Sequence, residues 1–165
     1  MTNEAVLSEL QSKFGDKIVG HSEEYGMLII EISAHSNYEI MQFIKEEASC
    51  KMTFLTTLCG IHYPEKTGNE LCVMYQLHNM EANYRLRLKA YIPISNPKIQ
   101  SVSGLFASAN WQERQEFDFY GIEFEGHPDL RRILNMDEMD YFPMRKEYKL
   151  EDGTRDDKED KFFGR

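Results

Sequence analysis

The sequence predicts an α+β domain, a mixed or antiparallel sheet with helices packed on it, followed by an extended, charged C-terminal arm. Three observations carry this. Two neighbouring stretches alternate strictly: Leu71, Val73, Tyr75 and Leu77 against Cys72, Met74, Gln76 and His78, then Tyr84, Leu86, Leu88, Ala90 and Ile92 against Arg85, Arg87, Lys89 and Tyr91. Other stretches repeat their apolar residues at helical spacing. Residues 151–165 mix acids and bases and carry almost no apolar side chain before Phe162-Phe163, too little to bury in a core of their own.

In chain order, residues 3–14 read as an amphipathic helix with Val6, Leu7, Leu10 and Phe14 on its apolar stripe, Asn3 as cap and Gly15 as stop. Residues 17–32 read as two strands around Glu23-Glu24-Tyr25-Gly26. The second is apolar on both faces, the pattern of a covered strand. Residues 37–48 read as a helix buried through Ile40, Met41, Phe43, Ile44 and Ala48, with Ser36 or Asn37 as cap. Residues 53–62 return to strand. The two alternating stretches then form an antiparallel hairpin across residues 79–83, with Arg85, Arg87 and Lys89 facing away from the core. Residues 92–100, with Pro93 and Pro97, form a loop, and Ser101-Val102-Ser103 opens a helical turn toward Leu105 and Phe106.

Charge and aromatic rings then concentrate in residues 111–134. Residues 110–120 read as a helix with Asn110 as N-cap, on which Arg114 and Asp118 stand one turn apart and can pair. Gly121 stops it in the left-handed cap conformation. Ile122 and Phe124 alternate with Glu123 and Glu125, Gly126-His127-Pro128 is a turn, and Asp129 opens one more helical turn with Leu130, Ile133 and Leu134 on its apolar side. The domain is expected over residues 1–134 and the arm over 135–165.

Composition narrows the function. A net charge of −9 argues against sequence-independent binding to nucleic acid or to an anionic membrane surface. No apolar run approaches the length of a membrane span, and residues 1–6 show no signal-peptide pattern. Cys50, Cys59 and Cys72 form no Cys-x-x-Cys pair and read as reduced core thiols rather than a disulfide or metal set. His127 reads as a structural turn histidine, because His21, His35, His62 and His78 lie in separate elements. Glu113, Glu116, Asp118 and His127 have acid–base chemistry but no partner nucleophile, so no catalytic residue is assigned. Trp111 fits a core position or an interface anchor equally well.

The stretch resembles the signature of the 30-kDa (C) subunit family of respiratory complex I, NADH:quinone oxidoreductase. Glu113, Arg114, Asp118, Gly121, Ile122, Phe124, Gly126, His127, Pro128, Asp129, Leu130, Arg131, Arg132, Ile133 and Leu134 stand in register with it, and Gln115 departs where the family has Glu. Gly60-Ile61-His62-Tyr63-Pro64 is similar to a family Gly-Val-Asp-Tyr-Pro element, with His62 in place of Asp. Residues 143–148 are similar to its Pro-Leu-Arg-Lys-Asp-Tyr element. The resemblance spans about residues 53–150.

What the resemblance implies is a non-catalytic, cofactor-free subunit of the peripheral arm, on the cytoplasmic side of the membrane. The FMN, iron–sulfur clusters, NADH site and quinone belong to other subunits. Its expected neighbours are the hydrogenase-like quinone-site subunit and the terminal-cluster subunit. Its partner-contact and signature residues are then Trp111, Glu113, Arg114, Asp118, Gly121, His127, Pro128, Asp129, Arg131, Arg132 and Arg145. The equivalent subunit of a membrane-bound hydrogenase or another donor:quinone oxidoreductase fits the same signature, and a stand-alone enzyme or metal protein is the alternative of another class.

Overall fold

The first hairpin pairs β1 (Ile18–Glu24) antiparallel with β2 (Met27–Ser33). Its two-residue turn, Tyr25 at φ 54° and Gly26 at φ 75°, is left-handed at both positions, which matches the twist of the strands it joins. The computed structural model describes residues 1–148. β3 (Phe54–His62), β4 (Leu71–Asn79) and β5 (Tyr84–Ile92) complete a five-stranded sheet in the order β1-β2-β5-β4-β3. β2 and β5 are its one parallel pair. The β4–β5 hairpin closes on Asn79, whose side-chain carbonyl accepts from the amides of Glu81 and Ala82 while its amide donates to the Cys50 carbonyl.

One face of the sheet carries the core. Leu28, Ile30 and Ile32 of β2, Val73, Tyr75 and Leu77 of β4 and Leu86, Leu88 and Ala90 of β5 pack with Val6, Leu10 and Phe14 of α1 (Asn3–Phe14) and Ile40, Met41 and Ile44 of α2 (Asn37–Glu46). The alternation read from the sequence places Arg85, Arg87 and Lys89 on the other face, as expected.

Several local readings are corrected. Thr2, not Asn3, caps α1, its hydroxyl accepting from Ala5 N at 3.3 Å. Asn3 instead ties β-strand ends together, donating to Gly26 O and accepting from the Tyr84 hydroxyl. α2 ends at Glu46, two residues early, and neither Ser36 nor Asn37 makes a capping bond; buried Asn37 donates across to Gln100 O at 3.0 Å. The loop of residues 92–100 contains β6 (Lys98–Gln100), which pairs in parallel with β7 (Glu123–Glu125). Three-residue strands are too short to show alternation, so only their pairing reveals them.

α3 (Ala109–Tyr120) starts one residue before the expected helix, with Ser108 rather than Asn110 at the N-cap position. It lies along the free edge of β3. Such an edge exposes unpaired N–H and C=O groups and is a template for unwanted pairing. Here side chains one helical turn apart occupy it. Ser108 donates to Leu55 O at 3.3 Å, the Gln112 side-chain carbonyl accepts from Leu58 N, and Glu116 Oε2 accepts from Gly60 N at 2.6 Å. Four helical residues advance about 6 Å and two strand residues about 6.7 Å, which suits the step from Leu58 to Gly60; the step from Leu55 to Leu58 takes one residue more, across the irregularity between Leu55 and Thr57. Gly60 permits the approach, because a Cβ there would stand 2.7 Å from the Tyr120 ring and 2.8 Å from Glu116 Oε2.

Candidate functional site

The signature residues meet at the two ends of α3. At the C-terminal end, four carbonyls have no partner within the helix. All four are satisfied. Gly121 N donates to Phe117 O from the left-handed cap (φ 72°, ψ 29°), the Arg132 guanidinium donates to Asp118 O, Met144 N to Phe119 O, and Arg145 Nε to Tyr120 O at 2.8 Å. The Phe142 ring lies against Gly121, with the Arg132 and Arg145 guanidinium groups 5.3 and 4.6 Å from its centre. A Cβ on Gly121 would come within 2.5 Å of that ring, so this position requires glycine for its left-handed φ and again for the close packing.

Asp118 organises the chain that returns across this end. Its carboxylate is inaccessible to solvent and accepts five hydrogen bonds: the Arg132 guanidinium at 2.7 Å, the amides of Ile133, Leu134 and Asn135 at 3.2, 2.9 and 2.9 Å, and the Asn135 side-chain amide at 3.0 Å. Burial alone would raise its pKa. The Asn135 and Leu134 amides, with Arg132, more than offset burial and hold the carboxyl well below the usual range. Residues 133–135 therefore curl around a carboxylate. The helical turn expected after Asp129 does not form, and Leu134 points outward.

The expected Arg114–Asp118 pair does not form either. Arg114 donates to the backbone carbonyls of Arg131 (3.1 Å) and Arg132 (3.3 Å), with its guanidinium 5.0 Å from the Trp111 ring. Helix spacing allowed the pair, but the chain returning across α3 offers both residues better partners.

The N-terminal half of α3 holds a second buried carboxylate. Glu113 accepts from Ser101 Oγ at 2.5 Å and Val102 N at 2.7 Å. His127 is fully enclosed beside it, its Nε2 4.0 Å from Glu113 Oε2 and 2.9 Å from Asn110 O, while its Nδ1 accepts from Asp129 N at 3.0 Å. These partners assign the neutral tautomer with the proton on Nε2. The His-Pro turn thus serves as a brace, as the sequence suggested. Burial pushes the Glu113 carboxyl up to about 7, against the pull of Ser101 and Val102. Burial does the same to Glu116, also up to about 7, against Gly60 N and Gln115.

Two groups of signature residues result. Glu113, Arg114, Asp118, Gly121, His127, Arg132 and Arg145 are engaged inside the fold. Trp111 is 64% exposed, Pro128 lies at the surface, and Arg131 reaches outward, its guanidinium paired among the described residues with Asp129 at 2.7 Å. Leu134, Met136, Tyr141 and Met144 are exposed in the same stretch of chain. Residues 142–148, within the expected arm of residues 135–165, touch α3 and β3, and Lys146 N donates to His62 Nδ1 at 3.0 Å, so the departure His62 accepts a bond there. The rest of the arm, residues 149–165, lies outside the described residues. Sequence reading missed Gln112 and Asn135, and weighed Glu116 only as an acid–base group, not as a partner of the β3 edge. Only the Ser108/Gln112/Glu116 spacing could have signalled an edge-facing polar stripe.

Among the described residues no group of three His, Cys, Asp or Glu side chains is placed to hold a metal ion. The cysteines are free thiols; burial pushes Cys50 up to about 11 and Cys72 up to about 12.

Fold and site together define an α+β domain whose signature charges bind its own backbone, with an aromatic and apolar surface left beside them. Residues 30–154 match the family described as respiratory-chain NADH dehydrogenase, 30 Kd subunit. The C subunit of NADH-quinone oxidoreductase from Trichlorobacter lovleyi is 36% identical over 155 residues, which cover 94% of each chain. A solved structure described as Nqo5, trypsin-resistant fragment (1-134), is similar with a TM-score of 0.64 and 29% identity, over 79% of this chain and 100% of that one. A chain of the membrane-bound sulfane sulfur reductase, an archaeal respiratory membrane complex, has the same fold, with a TM-score of 0.74 and 21% identity over 89% of this chain and 85% of that one. The chain belongs to the 30 Kd subunit family of respiratory-chain NADH dehydrogenase.

Proposed function

We propose that this chain is a non-catalytic, cofactor-free peripheral-arm subunit of a proton-translocating NADH:quinone oxidoreductase, on the cytoplasmic side of the membrane. Its role is to support the quinone-reducing module, beside the hydrogenase-like large subunit and the terminal-cluster subunit. The family match over residues 30–154 carries this reading. The division of the signature supports it. The buried carboxylates are occupied by backbone amides and Arg132, which suits a frame rather than a reacting centre. Trp111 and Arg131 are the residue types that anchor interfaces and lie outside that frame. No helix among the described residues is long and apolar enough to cross a membrane.

The test is purification of the tagged native chain in mild detergent with identification of the proteins that accompany it. Flavin-, iron–sulfur- and membrane-bearing subunits with NADH:quinone activity support the proposal. Hydrogenase-type partners move the chain to a related donor:quinone complex, a second reading to which the fold shared with the sulfane sulfur reductase chain lends weight. A chain that purifies alone with stoichiometric metal or a visible chromophore contradicts both.

A further inference from the structure

We propose that the helix-free face of the main sheet is a docking track for an acidic segment of a partner subunit. This rests on the reading of the chain as a subunit. The apolar core of α1, α2 and the sheet occupies one face, and α3 takes the β3 edge. On the opposite face Arg85, Arg87 and Lys89 project at alternate positions of β5, about 6.7 Å apart. None of the three has a carboxylate within salt-bridge distance among the described residues, although seven pairs form elsewhere. Glu31 stands across from Lys89 in register, yet it accepts from the Tyr91 hydroxyl at 3.3 Å. Glu24, at the far end of β1, is the other acid that the strands place on this face among the described residues.

A cationic row without an ion pair among the described residues stands out in a chain of net charge −9. The row is also held in place. Arg87 Nε donates to Gln76 Oε1 at 3.1 Å, and Gln76 in turn reaches Met27 Sδ. Met27 and Met74, both half-exposed, give the strip an apolar floor over the buried Ile29. The row leads to Tyr91 and an open cleft of about 630 Å³ at the C-terminal ends of β2 and β5. There Lys66 lies 4.8 Å from the Tyr63 ring and 4.4 Å from the Tyr91 ring, beside His35 and Lys98. Lys98 is already paired with Glu123, which leaves Lys66 to extend the row.

The occupant that fits is acidic and apolar by turns. An extended segment places alternate side chains about 6.8 Å apart and a helix places every fourth about 6 Å apart, and either spacing matches the row. An anionic lipid surface fits poorly, because three cations on a strongly acidic chain give little net attraction.

The test uses the assembled complex purified from cells whose chain carries a photo-crosslinking residue at Met74. The expected product joins that position to an acidic stretch of a partner subunit. Arg87→Glu with Lys89→Glu lowers both the crosslink and the recovered partner about tenfold or more, and an acid→Lys change in the partner segment restores them. Crosslinking to this chain's own residues, to a partner stretch without acids, or to nothing overturns the proposal. So does binding of the chain to vesicles of anionic phospholipid that the double reversal abolishes. If wild-type chain recovers no partner at all, it is the subunit reading that fails.

Discussion

The Asp118 carboxylate lies 2.7 Å from the Arg132 guanidinium, across fourteen residues of chain, and the two together close the C-terminal end of α3. Asp118 gathers the amides of residues 133–135, while Arg132 binds Asp118 O, Met139 O and Tyr141 O. Each residue thus fixes the segment that carries the other. Asp118→Asn keeps an oxygen for the amides but leaves Arg132 without its counter-charge. It is expected to destabilise the fold by about 2–3 kcal/mol, read as a lower denaturant midpoint at unchanged slope.

Arg131 and Arg132 are neighbours with opposite duties. Arg132→Ala leaves a buried carboxylate uncompensated and is expected to cost about 3 kcal/mol. Arg131→Ala, which removes an exposed pair with Asp129, is expected to leave the melting temperature of the chain unchanged and to lower its incorporation into the complex. A drop in melting temperature equal to that of Arg132→Ala would show that Arg131 belongs to the frame.

Gly121→Ala and Gly126→Ala separate backbone strain from packing. Both positions are left-handed, φ 72° and 81°, but a Cβ at Gly126 meets nothing within 4 Å. Gly126→Ala is expected to cost about 1 kcal/mol. Gly121→Ala must also displace Phe142, so its cost exceeds that of Gly126→Ala, and amide exchange over residues 142–148 accelerates. Equal costs in the two variants would mean that Phe142 does not press on the helix end.

Burial raises the Glu113 and Glu116 carboxyls to about 7, so the folded chain holds protons that the unfolded chain has released. Their contribution to stability is fully present below about pH 4.5 and is lost as pH rises through about 7. Asp118 has the opposite sign, and its contribution is lost only in acid, below the ordinary aspartate range. Glu116→Gln keeps an acceptor for Gly60 N and is expected to flatten the decline in stability across this window, measured by denaturant titration at several pH values. An unchanged slope would place the titration elsewhere.

The main sheet was legible because it alternates: β4 and β5 hold one face apolar over nine residues each, and Tyr25-Gly26 announces the β1–β2 turn. The continuous apolar run of β2 suggested cover on both faces, but helices cover only the Leu28/Ile30/Ile32 face; on the other, Ile29 is buried while Met27 and Glu31 stay half-exposed. Pairings made at a distance were not. Arg114 and Asp118 looked like helix partners because local spacing is all a sequence displays, whereas both bind the returning chain of residues 131–135. The Gln112 and Glu116 bonds to β3 were hidden for the same reason, since their partners are backbone amides without a sequence mark. The signature was recognisable as a unit, but its division into an inner frame and an outer surface needed coordinates. Trp111 shows this plainly, standing outside the core beneath the Arg114 guanidinium.

The most direct test of the subunit assignment is NADH:quinone oxidoreductase activity in membranes from cells lacking this chain, with and without its return on a plasmid. Loss of activity together with loss of the assembled complex, both restored by the wild-type chain, is the predicted result. Membranes that keep full activity and an intact complex without the chain would contradict the account.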